Sequence, residues 1–180
     1  YKNVGCQNAE LYFEWVNYYS IVFKVNTVPR ILAFLPNLLH ESGNFKYVEE
    51  IASGDAYESR TDLGNTLAVD GDGKKFKGRG LGQVTGTKNY RAFTNFANSL
   101  GIQIDFVKFP EKLKEPQYAV LSAFWFWQVN NLAGYADKGE FREVCSIWNT
   151  GKPNSITING YADRVKKYDK VITWLVKLVA

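Results

Sequence analysis

An apolar helical stripe that ends in a carboxylate constrains this chain more than any other feature. Ile31, Phe34, Leu35, Leu38 and Leu39 recur at helical spacing, so the segment buries one face and presents Glu41 at its C-terminal end. Thr27 offers an N-cap, Pro29 sits in the first turn where proline is tolerated, and Gly43 supplies the stop. The negative end of the helix dipole and the hydrophobic neighbours both favour a protonated carboxyl, which is what a general acid needs near neutral pH. Pro36 lies inside the periodicity, removes a backbone donor and predicts a kink just before Glu41.

After Gly43, a short segment leads to Glu49 and Glu50, and its length allows one of them to face Glu41 across a cleft. Hydrolysis of a glycosidic bond uses such a pair: one protonated carboxyl helps the leaving oxygen depart, and one carboxylate activates water or stabilises the cation. Glu58, in Tyr57-Glu58-Ser59-Arg60, competes for the second role and equally suits a structural ion pair with Arg60 or Arg79. His40 is the only histidine, so a Ser-His-Asp triad, a Cys-His pair or a zinc site would each depend on it without the usual companions. It reads instead as a histidine bonded to a nearby backbone or carboxylate group and fixing Glu41. Asp70-Gly71-Asp72-Gly73 opens like a calcium loop, but the twelfth position is Leu81 rather than glutamate, which leaves a turn. Gly78, Gly80 and Gly82 fit neither GxGxxG nor GxxxxGK[ST]; they give conformational freedom and close backbone approach.

The motifs HESGNF, YESR, LGNT, GDG, KFKGRGLGQVTG and NY, followed by WNTG and NGYADR, run in order between about Asn26 and Tyr168. Together they resemble the glycoside hydrolase family 19 chitinases, most of all the compact phage and bacterial branch, the endolysins that cut peptidoglycan. The resemblance implies that Glu41 is the acid and that Glu50, nine residues on, is the base, with Thr85 helping to hold the attacking water. Glu49 would be the exposed neighbour of Glu50. Gln83 would hydrogen-bond substrate, Asn89 and Tyr90 would line the cleft, and Asn149 would touch substrate. The resemblance makes the close approach at Gly78, Gly80 and Gly82 an approach to a sugar. Arg164 would stand near Glu41, or serve only as a buried ion-pair partner. Thr150 departs from the Asn-Gly-Gly of related enzymes and narrows the conformations of that loop. The implied single-displacement, inverting route separates the two carboxyl groups by roughly 6.5 to 9.5 Å. No metal or organic cofactor is implied.

Elsewhere the periodicity predicts a packing helix from Asn8 to Phe23, with Leu11, Tyr12, Trp15, Val16 and Tyr19 on its apolar stripe. Turns and a short hairpin are expected from Thr61 to Gly86, then a helix over 87–101 packed through Tyr90, Phe93, Phe96 and Ala97. A connector carries Pro110 and Pro116. The helix from Gln117 to Asn130 is apolar nearly all round and reads as the central core helix, with Trp127 in the core. Further helices are expected over 141–148 and from Asn159 onward. The tail from Val171 to Ala180 reads as a closing core helix rather than a membrane-touching one.

A chain of 180 residues, 46% hydrophobic and 16% aromatic, is long enough for a sizeable core and excludes disorder. A net charge of +4 suits an anionic surface such as a bacterial wall and is too weak to argue nucleic acid. Cys6 and Cys145 form no CxxC and read as free, buried thiols. The chain starts at Tyr1 and has no methionine, as a piece of a longer protein would. It shows no signal peptide and no apolar run approaching the roughly 20 residues that span a bilayer. The expectation is a single α+β, predominantly α-helical, lysozyme-like domain over 1–180, with a small β-hairpin and a central cleft. It would act as a monomeric hydrolase of peptidoglycan glycan strands, on the periplasmic or extracellular side or carried by a phage virion. Chitin is the other substrate, and a non-catalytic wall-binding or virion structural module is the reading from a different class.

Overall fold

The computed structural model describes residues 8–179 and divides the chain into two compact units, Tyr1–Lys46 with Phe126–Ala180, and Tyr47–Trp125. The first unit is helical: α1 (Ala9–Val22), α2 (Val28–Glu41), α6 (Leu132–Ala136), α7 (Phe141–Thr150) and α8 (Tyr161–Val179). The second contains α3 (Asp72–Lys75) and α4 (Thr87–Ser99), with single 3-10 turns at Asp55–Tyr57, Thr61–Leu63 and Pro110–Lys114. Helix α5 (Pro116–Val129) supplies residues to both.

In the first unit α2 is the organising helix. Every residue from Leu32 to Leu39 is buried, and α6, α7 and α8 pack on it. Phe34 makes edge contacts with Trp127 at 5.4 Å and Trp148 at 5.6 Å between ring centroids. Each buried Leu or Phe contributes about 1.5–3 kcal/mol of transfer free energy, so this face fixes where the end of α2 emerges. The helix runs through Pro36 without ending. Beside it the buried side chain of Asn37 donates to the Ala33 carbonyl at 2.8 Å.

The second unit is held around the glycine-rich loop. Leu81 N donates to Ala119 O at 2.9 Å and Gly82 N to Ser122 Oγ at 2.9 Å, laying the loop backbone on α5. A Cβ on Gly80 would lie 2.3 Å from Ser122 Oγ, and one on Gly82 would lie 2.4 Å from Ser122 O, so no larger residue fits this approach. That docking limits the expected hairpin to isolated bridges, Glu49 with Arg79 and Arg79 with Val84, among the described residues. At Leu81 and Gly82 the backbone amides bond to a helix rather than to a partner strand.

Several expectations need correction. On α1 the buried line is Ala9, Tyr12, Val16 and Tyr19, whereas Leu11 is 57% exposed; the packed stripe sits one position round from it. Asp72 and Gly73 belong to α3 rather than to a plain turn. Among the described residues at the end of α8, Val171 is buried and Trp174 and Leu175 are half-buried, while Ile172 and Val176 stay exposed. Cys145 is a buried free thiol, pushed up to about 11 by burial, while Cys6 lies outside the described residues. Among the described residues no helix is long and apolar enough to cross a membrane, and no group of three or more His, Cys, Asp or Glu suits a metal ion.

Candidate active site

Glu41 ends α2, where the apolar run stops and Ser42 caps it by donating to Leu38 O at 2.7 Å. Its carboxylate accepts from Nη2 of Arg164 on α8. Arg164 is 1% exposed, and its Nη1 donates to Asn37 Oδ1 at 2.6 Å. Asn37, one helical turn before Glu41, thus holds the arginine that holds the acid. The surroundings of Glu41 are therefore not only the apolar neighbours and helix dipole that the sequence suggests, but also a buried positive charge. Next to it, His40 Nδ1 lies 2.6 Å from Asp163 Oδ2.

In the second unit Glu50 is met by donors on both oxygens. Tyr57 Oη donates to Oε1 at 2.9 Å and Gly78 N to Oε2 at 3.2 Å. The Tyr57 hydroxyl is raised above its ordinary 10.0, by burial first and then by this bond, so it remains a donor at neutral pH. A Cβ added to Gly78 would lie 2.6 Å from Gln83 Oε1, and 3.3 Å from both Glu50 Oε2 and Thr85 Oγ1. Three residues singled out from the sequence thus converge on one glycine. Thr85 Oγ1 donates to Gln83 O at 2.9 Å, which spends its proton and leaves its lone pairs as acceptors. Gln83 itself adopts a φ of +51° and donates to Gly80 O at 2.9 Å. Asn89 donates to Thr85 O at 2.8 Å, tying the start of α4 to the same turn.

Tyr90, Glu49 and Glu58 meet other partners than the sequence suggests. Tyr90 is fully buried, with its hydroxyl donating to Lys77 O at 2.8 Å and accepting from Arg79 at 2.9 Å, so it supports Arg79 instead of lining a surface. Glu49 is no bystander: it pairs with Arg79 at 2.9 Å, Lys114 at 3.4 Å and Lys77 at 3.7 Å. Burial raises its carboxyl, but Arg79, Lys114 and Lys77 outweigh this and hold it below the usual range. Glu58 pairs with neither Arg60 nor Arg79; its carboxylate accepts from the Gly71 and Gly73 amides and so shapes the turn into α3. Asn149 accepts from Asn159 N at 2.9 Å, and Thr150 bonds Ser146 O, Lys152 O and Ser155, so both brace the loop before α8.

The sequence reading passed over Asn37, Tyr57 and Asn65. Asn65 donates to Tyr57 O at 2.7 Å and accepts from Thr87 N at 3.0 Å, so it pins the loop that carries Tyr57. A lone amide inside an apolar run, four residues before the acid, was the available signal for Asn37.

No family model matches the sequence. An endochitinase of Arabidopsis thaliana is 38% identical over 144 residues, covering 76% of this chain and 47% of that protein. A glycosyl hydrolase family 19 domain-containing protein of Haemophilus influenzae is 32% identical over 120 residues, covering 66% and 51% respectively. The chain is similar in sequence to glycoside hydrolase family 19. Its fold matches the family 19 chitinases of known structure. Chitinase C of Streptomyces griseus HUT6037 aligns with a TM-score of 0.69 at 19% identity, covering 93% of this chain and 70% of the other. The class IV family 19 chitinase of Zea mays gives 0.58 at 21%, covering 92% and 80%. The chain spans between a third and about half of the length of the curated relatives it matches, from 32% to 51%.

Proposed function

We propose that this chain is a glycoside hydrolase acting on β-1,4 bonds next to N-acetylglucosamine, with peptidoglycan as its substrate. The observation that carries the reading is the convergence of Glu50, Gln83 and Thr85 on Gly78, with donors on both Glu50 oxygens and a free acceptor on Thr85. In the proposed reaction Glu41 gives its proton to the glycosidic oxygen as the bond to the anomeric carbon breaks. Water, held by Glu50 and Thr85, attacks that carbon from the opposite face and passes its proton to Glu50. Arg164 then compensates the carboxylate left on Glu41. The order of motifs in the sequence and the net charge of +4 favour the anionic wall polymer.

Chitin is the second reading, favoured by the relatives that carry the name endochitinase. Both are tested by mass spectrometry of fragments released from purified peptidoglycan and from chitin by the wild type and by Glu41→Gln, with borohydride labelling of the new reducing end. Labelled muramic acid from the wild type alone supports a muramidase, and labelled glucosamine from peptidoglycan gives a glucosaminidase. Release from chitin alone moves the substrate to chitin. Binding without release by either protein on either polymer would overturn the hydrolase and leave a wall-binding module.

A further inference from the structure

Two adjacent residues at the end of α2 are gripped by two adjacent residues at the start of α8. Arg164 takes Glu41, and Asp163 takes His40. The second grip has no counterpart in the chemistry set out above, and it is itself held in place. Asp163 Oδ2 accepts from His40 Nδ1 and from Lys167 Nζ, each at 2.6 Å, so the carboxylate bridges the imidazole to the next turn of its own helix. Gly160, just before α8, lies against the same ring. A Cβ there would stand 2.1 Å from His40 Cε1 and 2.3 Å from Nε2, and the residue adopts a φ of +70°. Both the space and the backbone conformation require glycine. The charged groups around this corner are Lys167, Arg164 and Glu41, and the Cys145 thiol from α7 is neutral at ordinary pH.

We propose that Asp163 and Gly160 are positioning residues for the acid: they hold the His40 ring from two sides, at Nδ1 and at Cε1 and Nε2, and through it the last turn of α2 that presents Glu41. This rests on the hydrolase reading given above. Arg164 holds Glu41 by its carboxylate and Asn37 one turn earlier. The bond to His40 adds a hold on the side chain next to the acid, and a displacement of about 1 Å at a reacting group costs on the order of 10²-fold in rate.

The only histidine of the chain gives a direct probe, since its imidazole nitrogens are unique in a ¹⁵N spectrum. The test compares wild type, Asp163→Ala, Asp163→Asn and Gly160→Ala. Ring-nitrogen shifts and exchange protection of the Nδ1 proton are read together with kcat and KM on whichever polymer the wild type cuts. The expected result is loss of Nδ1 protection and about a 10²-fold fall in kcat at nearly constant KM in Asp163→Ala. Asp163→Asn, which keeps an acceptor oxygen, restores most of both, and Gly160→Ala shifts the ring and lowers kcat. Circular dichroism checks the fold, and if Asp163→Ala does not fold, the Asn and Gly160 variants carry the comparison. An unchanged imidazole in the Asp163 and Gly160 variants, or a freed one with kcat within twofold of wild type, would overturn the proposal while leaving the hydrolase intact. A wild type inactive on both polymers would instead sink the hydrolase reading, and this role with it.

Discussion

The guanidinium of Arg164 is 1% exposed and donates directly to the carboxylate of Glu41. Arg164→Ala removes a fully buried side chain and leaves the buried Asn37 Oδ1 and the half-buried Glu41 carboxylate without their donor, so it is expected to lower the unfolding free energy by about 3–5 kcal/mol. A neutral amide in place of the carboxylate still offers Arg164 an acceptor. Glu41→Gln is expected to stay folded, with a smaller loss of stability, while abolishing turnover. Urea denaturation of both variants beside a hydrolysis assay checks the pair. Equal stability losses would mean that the acid is not what Arg164 is buried to meet.

Gly78 separates folding from function more cleanly. No positive φ forces glycine at this position, and the nearest obstacle to a Cβ is Gln83 Oε1 at 2.6 Å, the end of a flexible side chain. The fold can absorb a methyl group by moving Gln83, but the group then occupies the space shared with Glu50 and Thr85. Gly78→Ala should keep its melting temperature within a few degrees and lose roughly 10–10²-fold in kcat/KM. Gly82→Ala is the contrast, since its Cβ meets the Ser122 backbone at 2.4 Å and the fold itself should suffer.

Tyr57 is expected to matter through its hydroxyl alone. It donates to Glu50 Oε1 at 2.9 Å, and a hydrogen bond to a charged group contributes about 1.5–3 kcal/mol. Tyr57→Phe keeps the ring, so its stability cost should be small, while kcat should fall by at least about tenfold if Glu50 acts from this position. Asn65→Ala, which frees the loop behind Tyr57, should produce the same kinetic loss together with a lower melting temperature. An active Tyr57→Phe would point away from Glu50 as the base.

What the chain reveals before its structure divides along physical lines. Periodicity places α2 and its terminal Glu41 because burial of a stripe is local in sequence, whereas the close approach read from the glycines is, at Gly80 and Gly82, an approach to Ser122. Long-range ionic partners leave no such trace. Lys114 pairs with Glu49 across 65 positions, and Asp163 with His40 across 123. Tyr90 divides the two readings: helical periodicity places it on the packing face, where it is buried, while the family resemblance places it on the cleft, and its hydroxyl instead meets Arg79. Glu58 is a carboxylate whose partners are backbone amides, which no side-chain pattern can mark.

The ionic cluster of Glu49 makes stability depend on pH in a defined direction. Its carboxyl lies below the ordinary 4.5 in the folded protein, because the attraction of Arg79, Lys114 and Lys77 exceeds the opposing effect of burial. Asp163 is likewise held below 3.8: burial raises it, and Lys167 and His40 more than offset that. A carboxyl depressed by folding stabilises the native state fully above its unfolded value and loses that contribution as pH falls through the folded one. The protein should therefore hold its stability down to about pH 5 and lose it progressively below about pH 4. Glu49→Gln should be less stable than wild type at pH 7, because Arg79 remains buried with one partner fewer. It should also show a shallower decline on acidification, since one of the groups that binds a proton on unfolding is gone. Thermal melts of both proteins from pH 7 to pH 3 test this; curves that stay parallel throughout would remove Glu49 from the acid response.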